Sequence, residues 1–267
     1  MPRPRVLVLG ATGFLGAFAV AVLRQRADVV TGGRRSADVA VDLADGAVAA
    51  AVAAVGADRV LNLAALSRIA DCSREPALAH AVNARAPGEL AMALGPRLVH
   101  VSTDLVFDGR AAPYAAFDPV APLSVYGQTK AEGEELALAR GARIVRLPLL
   151  FGPDAQGRGA TAMLRAALAA ARPQALFTNE YRTPLHAADA ADALADLVLR
   201  DALPRIVHVA GPERVSRWEL GQRFCRTHGL STSWLEPVEC QDAMRPRDVS
   251  LRGMLPQRTL AEMLADS

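Results

Sequence analysis

The sequence has almost no lysine: Lys130 is the single one, and every other basic residue is arginine. Cysteine is also scarce, and the three cysteines at Cys72, Cys225 and Cys240 are too widely spaced to predict a disulfide framework or a zinc cluster. No apolar run approaches the roughly 20 residues that cross a bilayer. The N-terminal segment lacks the apolar stretch and cleavage site of a signal peptide. We therefore expect a cytoplasmic protein without membrane spans.

Neither sign of charge dominates the sequence. The 30 basic and 28 acidic residues are interspersed and give a net charge of +2, with no basic stripe suited to a nucleic-acid backbone. The five histidines have no spacing typical of metal ligands. We therefore expect a small-molecule substrate, no nucleic-acid or membrane partner and no bound metal, while a homodimer is compatible with these observations.

The periodicity of apolar residues predicts the fold. Short apolar strands alternate with alanine-rich helical stretches, the pattern of repeated βα units. It predicts an α/β fold with a doubly wound parallel sheet of the Rossmann type. Strands are expected near Arg5–Gly10, Val29–Gly33, Val39–Val41, Arg59–Leu63, Arg97–Ser102, Ala142–Arg146 and Arg205–Ala210. Helices are expected near Phe14–Arg26, Ala44–Val55, Pro76–Leu94, Val125–Arg140, Thr161–Ala171, Ala187–Leu199 and Arg217–His228.

Two stretches interrupt this alternation and predict the domain organisation. The pattern becomes irregular and richer in Pro, Arg and Gly between Leu147 and Pro184, and again after Gly211. We expect a dinucleotide-binding domain of residues 1–150 plus about 185–211. Residues from about 151–184 and 212–267 should form a small substrate-binding lobe over the carboxyl edge of the sheet.

A glycine-rich turn follows the first predicted strand. Residues 10–16 read GATGFLG, a G-x-x-G-x-x-G motif that opens the first helix. Glycines there let the backbone approach a pyrophosphate, whose charge is met by amides at the helix N-terminus. The motif predicts a dinucleotide cofactor contacted by Gly10, Thr12, Gly13, Phe14, Leu15 and Gly16.

The end of the second predicted strand indicates which dinucleotide binds. An acidic residue in that turn is typical of NAD, whereas Arg34 and Arg35 here suit the 2′-phosphate of NADP. We therefore expect NADPH, with the alternative that both arginines are solvated loop charges. Further cofactor contacts are expected from Asp42, Leu43, Leu63, Ala64, Ala65 and Asn83.

A tyrosine and the single lysine are four residues apart in Val125–Lys130. On a helix, Tyr126 and Lys130 project from one face, so both reach the same substrate and cofactor. A free phenol has a pKa of about 10. A nearby ammonium favours phenolate, so we expect Lys130 to lower the pKa of Tyr126 and make it a usable general acid. Thr103, at the end of the preceding strand, is placed to hydrogen-bond a substrate carbonyl and stabilise an oxyanion.

These residues resemble a known family. The segments STDLVFDG at Ser102–Gly109, PLSVYGQTK at Pro122–Lys130 and RPRDVSL at Arg245–Leu251, with the glycine turn, resemble dTDP-4-dehydrorhamnose reductases. That family belongs to the extended short-chain dehydrogenase/reductases, and the likeness runs from the first strand to the C-terminal segment. The S-T-D-x-V-F-x-G and P-L-x-x-Y-G-x-x-K blocks together are highly specific to it.

The resemblance implies roles for individual residues. Thr103, Tyr126 and Lys130 would form the catalytic triad, with Lys130 also holding the nicotinamide ribose and Tyr126 protonating the reduced C4 ketone of the sugar. Arg182, with the further arginines Arg245 and Arg247, would meet a diphosphate unless these arginines are solvated. Substrate contacts are expected from Ser67, Asp104, Leu105, Val106, Leu149, Tyr181 and Arg182.

The sequence also departs from the family pattern. Residues 146–151 read RLPLLF where the family commonly has RTSWVY, which removes an aromatic that would pack on the substrate. Residues 64–72 keep the opening alanines but not the usual Val-Asp pair. The catalytic motif is complete and the substrate pocket is altered. We therefore expect NADPH-dependent reduction of a ketone, with a nucleotide-linked 4-keto-6-deoxysugar as the leading substrate.

Several alternatives remain open at this point. Dehydratases of the superfamily place an Asp-Glu pair after the catalytic Thr, whereas Asp104 is followed here by Leu105. Epimerases usually retain NAD, which the Arg34 turn argues against. Two further alternatives are a ketoreductase for a non-sugar natural-product intermediate and a non-catalytic NADP-binding regulatory subunit. The latter would be similar to the relatives associated with methionine adenosyltransferase.

Overall fold

The computed structural model describes residues 3–202, 204–254 and 256–267. The strands are β1 Arg5–Leu9, β2 Asp28–Gly33, β3 Val39–Ala40, β4 Arg59–Asn62, β5 Leu98–Thr103, β6 Arg143–Leu147, β7 Leu150–Phe151, β8 Gln174–Phe177, β9 Tyr181–Arg182, β10 Leu185–His186, β11 Ile206–His208, β12 Val215–Ser216 and β13 Leu235–Val238. The α-helices are α1 Phe14–Leu23, α2 Val48–Ala53, α3 Ile69–Arg74, α4 Pro76–His80, α5 Ala86–Leu94, α6 Val125–Leu138, α7 Ala160–Ala169, α8 Ala187–Leu199, α9 Arg217–Thr227 and α10 Leu260–Ala265.

Seven parallel strands form the central sheet, in the order β11-β6-β5-β4-β1-β2-β3. The chain winds outward in both directions from β1, which lies between β4 and β2, so the predicted doubly wound sheet is confirmed. In such sheets ligands bind outside the carboxyl ends of the strands where the winding reverses. The carboxyl ends of β1, β4 and β5 therefore mark the region where a site is expected.

The sheet is buried on both faces. Because successive side chains of a strand point to opposite sides, each strand contributes apolar residues to both faces. Val6 and Val8 of β1 belong to one hydrophobic cluster, which also contains buried residues of α1 and α8. Leu7 and Leu9 belong to a second cluster, with residues of α2 and α5. The uninterrupted apolar run of β1 is explained by this two-sided burial.

Helical structure spans the whole of the predicted helix Pro76–Leu94, but it is not α-helical throughout. α4 and α5 are separated by a π-helical turn at Ala81–Arg85. The turn passes close to α6, where a Cβ on Gly133 would lie 2.1 Å from the carbonyl oxygen of Asn83. This turn was not predicted from the sequence, because a single wide turn is too short to produce a periodicity of its own.

The remaining strands form three two-stranded pairs outside the central sheet. β7 pairs with β10, β9 with β12, and β8 with β13. The parallel β8–β13 pair joins the two irregular segments assigned to the lobe, and the division into a domain and a lobe stays a prediction. Within the described residues, none of the helices is both long and apolar enough to cross a membrane.

Candidate active site

The glycine turn lies at the N-terminus of α1 and is closely packed. Gly10 adopts a φ of +78°, which favours glycine, and a Cβ there would lie 2.8 Å from the amide nitrogen of Ala64. A Cβ on Gly16 would lie 2.2 Å from the carbonyl oxygen of Gly10. These contacts bring the helix start against the sheet edge, with amides of the first turn available to an anion. The turn therefore fits the pyrophosphate of a dinucleotide.

The side chains around this turn differ in their exposure to solvent. Thr12 is exposed, and Phe14 and Leu15 are half-buried. Phe14 lies beside Gly159, where a Cβ would come within 2.7 Å of its ring. The Nη1 of Arg158 donates to the carbonyl oxygen of Thr12 at 2.7 Å. Arg158 thus ties the loop after β7 to the glycine turn, a contact that no sequence motif indicated.

The turn after β2 exposes the two arginines predicted to meet a phosphate. Arg34 and Arg35 are both exposed, consistent with either a phosphate contact or solvation. The sequence reasoning missed Asp38, whose carboxylate accepts hydrogen bonds from the amide and hydroxyl of Thr31 at 2.9 and 2.8 Å. These bonds lower the pKa of Asp38 and close the loop. A cavity of about 510 Å³ beside this loop is lined in part by Thr12, Thr31 and Asp38.

Other residues predicted to touch the cofactor are divided between the edge of the sheet and the interior. Half-buried Leu63 and Ala64 and exposed Ala65 follow β4, and half-buried Asp42 follows β3. Leu43 is only 6% exposed and belongs to the core.

Asn83 lies in the interior between the segment after β4 and α6. Its side chain is fully buried, with Oδ1 accepting from the Leu66 amide at 2.9 Å and Nδ2 donating to the Leu66 carbonyl at 3.0 Å. Nδ2 also approaches the Thr129 hydroxyl at 3.3 Å. Because both ends of the amide are occupied inside the fold, Asn83 holds the segment after β4 against α6, and its contact with a cofactor stays a prediction.

The catalytic candidates meet where β5 ends and α6 begins. Thr103 is the last residue of β5, and Tyr126 and Lys130 lie one turn apart on α6. Ser124 caps α6 by accepting from the amide of Gly127 at 3.2 Å. Close contact between α6 and the turn after β5 requires Gly127, because a Cβ there would lie 2.3 Å from the Leu105 carbonyl oxygen.

The pKa of Tyr126 differs in direction from the expectation. Burial raises the pKa of this phenol well above its ordinary value, Thr103 lowers it in part, and Asp104 raises it further. Lys130 does not offset the rise, because its Nζ lies 3.0 Å from His100 Nε2 and donates to the Val101 carbonyl at 2.7 Å. The predicted lowering of the Tyr126 pKa by Lys130 is therefore wrong for this structure, and the phenol is protonated at neutral pH.

Lys130 itself is only 1% exposed. Burial lowers the pKa of its ammonium to about 8, and Glu134 partly opposes this change. The lysine therefore does not point into water. A lysine that pointed into water would have argued against a catalytic role.

A network of buried charges lies beside Thr103. The Thr103 hydroxyl donates to Asp104 Oδ1 at 3.1 Å, and Asp104 Oδ2 lies 3.4 Å from Arg182 Nε. Burial raises the pKa of Asp104 to about 6, although Arg182 lowers it. Three arginines surround Glu180, with nitrogen–oxygen distances of 3.4 Å from Arg182, 3.7 Å from Arg217 and 2.8 Å from Arg245.

This network contains three guanidinium groups and two carboxylates, so it carries an excess of positive charge when both acids are ionised. Arg217 and Glu180 were not predicted as site residues. The sequence gives little reason to single out Arg217, because arginine is the default basic residue throughout this chain. The excess charge is suited to an anionic ligand.

The other predicted substrate contacts vary in exposure. Ser67 is exposed, and Leu105 and Leu149 are half-buried. Tyr181 is half-buried under the guanidinium of Arg214, 3.5 Å from its ring centre.

Val106 is fully buried, and its side chain packs in a cluster with Phe107 and Tyr114. Its contact with a substrate stays a prediction. The guanidinium of Arg247 bonds to the carbonyl oxygens of Asp242 and Arg245, each at 3.4 Å.

Known proteins resemble this chain over most of its length. A family model described as the RmlD substrate binding domain matches residues 4–264. A dTDP-4-dehydrorhamnose reductase of Streptomyces griseus is 38% identical over 262 residues, covering 92% of this chain and 84% of that protein. Methionine adenosyltransferase 2 subunit beta of Pongo abelii is 30% identical over 270 residues, covering 94% and 81%. The solved structure of dTDP-4-dehydrorhamnose reductase from Bacillus anthracis in complex with NADP has a TM-score of 0.88 at 21% identity, covering 98% and 97%, and supports the fold.

Proposed function

Because the chain belongs to the RmlD substrate binding domain family, we propose that it reduces the C4 keto group of a nucleotide-linked 4-keto-6-deoxysugar with NADPH. As a member of this family it is an NADP-dependent oxidoreductase of the extended short-chain dehydrogenase/reductase type. The convergence of Thr103, Tyr126 and Asp104 at the carboxyl end of β5, beside an excess of arginine, carries the substrate proposal.

Binding and proton donation fall to separate groups of this chain. The glycine turn would hold the cofactor pyrophosphate, and Arg34 its 2′-phosphate. When bound, NADPH supplies an electron pair and one hydrogen to the carbonyl carbon. Tyr126 supplies the proton for the carbonyl oxygen, a role that suits a phenol whose raised pKa keeps it protonated. Thr103 would turn its hydroxyl proton from Asp104 Oδ1 to the same oxygen and donate a hydrogen bond as negative charge develops there.

The arginines around Glu180 support a nucleotide diphosphate as the carrier of the ketone. Guanidinium groups bind phosphate oxygens through paired hydrogen bonds, and the planar geometry favours arginine over lysine. Arg182, Arg217 and Arg245 surround Glu180, and Arg182 also contacts Asp104, so two carboxylates face three guanidinium groups and the positive charge is not fully compensated. Asp104 accepts from the hydroxyl of Thr103, which connects this charge to the proposed reaction centre.

NADPH oxidation across a panel of carbonyl compounds tests the substrate. We expect turnover with dTDP- or UDP-linked 4-keto-6-deoxysugars and much slower turnover with simple ketones. The variant Tyr126→Phe should fold and bind NADPH while its kcat falls by about 10²–10⁴-fold, the usual contribution of a general acid. Reduction of a non-sugar ketone together with inactivity towards every sugar nucleotide would instead identify a natural-product ketoreductase.

Cofactor choice is tested at the turn after β2. Arg34→Ala should weaken NADPH binding by more than tenfold while leaving NADH binding nearly unchanged, because only NADPH carries the 2′-phosphate. Arg172→Ala, at another exposed arginine, is the matched control. Equal losses for both cofactors in Arg34→Ala would remove the phosphate role.

A second candidate function comes from the likeness to methionine adenosyltransferase 2 subunit beta. The chain would then bind NADP as a regulatory subunit without catalysing reduction. Wild type and Tyr126→Phe that bind NADPH equally, and are both inert towards every carbonyl compound, would favour this alternative.

A further inference from the structure

The single lysine is enclosed by an uncharged hydrogen-bonded chain on the sheet. His100 of β5 is fully buried, with Nε2 3.0 Å from Lys130 Nζ and Nδ1 3.1 Å from Asn62 Nδ2 on β4. Asn62 is also fully buried, and its Oδ1 accepts from the Ala64 amide at 3.1 Å. Lys130 Nζ donates to the Val101 carbonyl at 2.7 Å. The chain therefore runs from Ala64 through Asn62 and His100 to Lys130.

The Ala64 amide determines where the hydrogens lie along this hydrogen-bonded chain. A backbone amide only donates, so Ala64 fixes Oδ1 of Asn62 as the acceptor and turns the donor Nδ2 towards His100. Nδ1 of His100 must then accept, and a neutral imidazole with an accepting Nδ1 carries its proton on Nε2. His100 therefore presents an N–H to Lys130, not a lone pair.

An ammonium group is a poor partner for that N–H. A protonated lysine has three donors and no acceptor, so it would place two donors against each other at 3.0 Å. A neutral amine has one lone pair, which accepts from His100 Nε2, while one of its hydrogens reaches the Val101 carbonyl. The contact is satisfied only by the neutral form of Lys130.

The charges around Lys130 do not reverse this preference. An imidazolium at His100 is excluded because burial, and then Lys130, hold the pKa of His100 well below its ordinary value. Glu134, one turn further on α6, favours the ammonium of Lys130. Its carboxylate is engaged by Arg146 of β6 at 2.6 Å, which limits this effect. Tyr126, on the preceding turn of α6, is a neutral phenol in this state.

We propose that His100 is a positioning residue that weakens the proton affinity of Lys130 by presenting an N–H to it, and that Asn62 and the Ala64 amide set the tautomer of His100. The ammonium of Lys130 gains no hydrogen bond from His100, so the contact favours loss of the proton without preventing its uptake. The consequence for activity rests on the proposed reduction, in which Lys130 acts. The reaction consumes a proton, so activity should fall as pH rises through the pKa of Lys130 and this lysine loses its proton.

The presence of one lysine allows a direct measurement in the whole protein. Lysine labelled with ¹³C at Cε and ¹⁵N at Nζ gives one side-chain signal, whose shift across pH reports the pKa of Lys130. We expect wild type to titrate near 8. In His100→Gln, the amide can turn its oxygen to the ammonium, and the pKa should rise above about 9, a tenfold gain in proton affinity per pH unit. His100→Leu, the matched control, keeps the burial and should stay at or below 8.

A second variant keeps the test independent of how His100→Gln folds. In Asn62→Asp the carboxylate accepts from His100 Nδ1, so Nε2 becomes an acceptor and the pKa of Lys130 should again rise. The new carboxylate also raises the pKa of Lys130 directly, through its charge. Repeating Asn62→Asp in the His100→Leu background measures this direct effect alone, and the rise in the pKa of Lys130 should be smaller there. A wild-type pKa near 10.5, or equal pKa values in His100→Gln and His100→Leu, would overturn the proposal.

Activity provides a separate readout. If the proposed reduction holds, the alkaline limb of kcat should move to higher pH in His100→Gln together with the pKa of Lys130. The labelled-lysine titration requires no substrate, so it decides the role of His100 even if the sugar substrate is wrong. Unchanged lysine pKa values with normal sugar reduction would remove the role of His100 and leave the proposed function intact.

Discussion

Gly133 of α6 lies against the π-helical turn, and its replacement by alanine tests whether that packing is as close as the structure indicates. Inside a helix, glycine to alanine normally stabilises by about 0.5–1 kcal/mol, because alanine loses less backbone entropy on folding. At Gly133 the new Cβ would lie 2.1 Å from the Asn83 carbonyl oxygen, a backbone atom with little freedom to move. Overpacking of this kind costs about 1–3 kcal/mol and sometimes more. We therefore expect Gly133→Ala to lower the free energy of unfolding by about 1–2 kcal/mol.

Gly88 of α5 is the matched control. A Cβ there would meet the side chain of Leu136 at 3.1 Å, a closest distance 1 Å longer than at Gly133. Leu136 is 41% exposed and has room to yield, so Gly88→Ala should change the free energy of unfolding by less than about 0.5 kcal/mol.

Urea and thermal unfolding measure the difference between these variants. For a chain of this size, about 1 kcal/mol corresponds to a Tm change of about 2–4 °C. Gly133→Ala should also displace Asn83, which holds the backbone of Leu66 beside the site, and so reduce kcat. If Gly133→Ala is as stable as Gly88→Ala, the close approach of α6 to the π-helical turn is incorrect.

Three further variants test other contacts. Glu134→Gln leaves the buried guanidinium of Arg146 without its counter-charge and should destabilise the fold by about 3 kcal/mol in urea unfolding; no loss would show that the pair is hydrated. Asp104 has a folded pKa of about 6, above its ordinary value, so its contribution to stability is greatest at low pH and is lost as pH rises from about 4 to 6. The unfolding free energy of Asp104→Asn minus that of wild type should therefore increase over this range, and a flat difference would contradict the raised pKa. Ser216→Ala removes the cap of α9 and should cost about 1 kcal/mol, seen as a lower Tm; an unchanged Tm would make the capping box unimportant.

Much of the central sheet could be predicted because burial on both faces leaves a direct record in the sequence. The predicted strand Arg59–Leu63 corresponds to β4 at Arg59–Asn62, and the predicted helix Ala187–Leu199 matches α8. The pairs outside the sheet were missed, and four of their six strands, such as β9 and β12, have only two residues and carry no periodicity.

The site was predictable in its residue types and less so in its electrostatics. The spacing of Tyr126 and Lys130 indicated a shared helix face, and α6 does present both residues near the end of β5. It could not indicate that His100 and Val101 engage the lysine, because that contact depends on a neighbouring strand. Nor could spacing reveal the burial that raises the pKa of Tyr126.

The parallel pairing of β8 with β13 has a consequence for how the protein is made. The amide of Gln174 reaches the carbonyl of Trp234, and Thr178 donates to a carbonyl 60 positions further along the chain. During synthesis, β8 emerges long before the strand that completes it, so its edge waits unpaired while the strands around β1 are already available to assemble. We infer that the strands around β1 acquire structure first, and that the unpaired edge of β8 is open to pairing with other chains until β13 has been made.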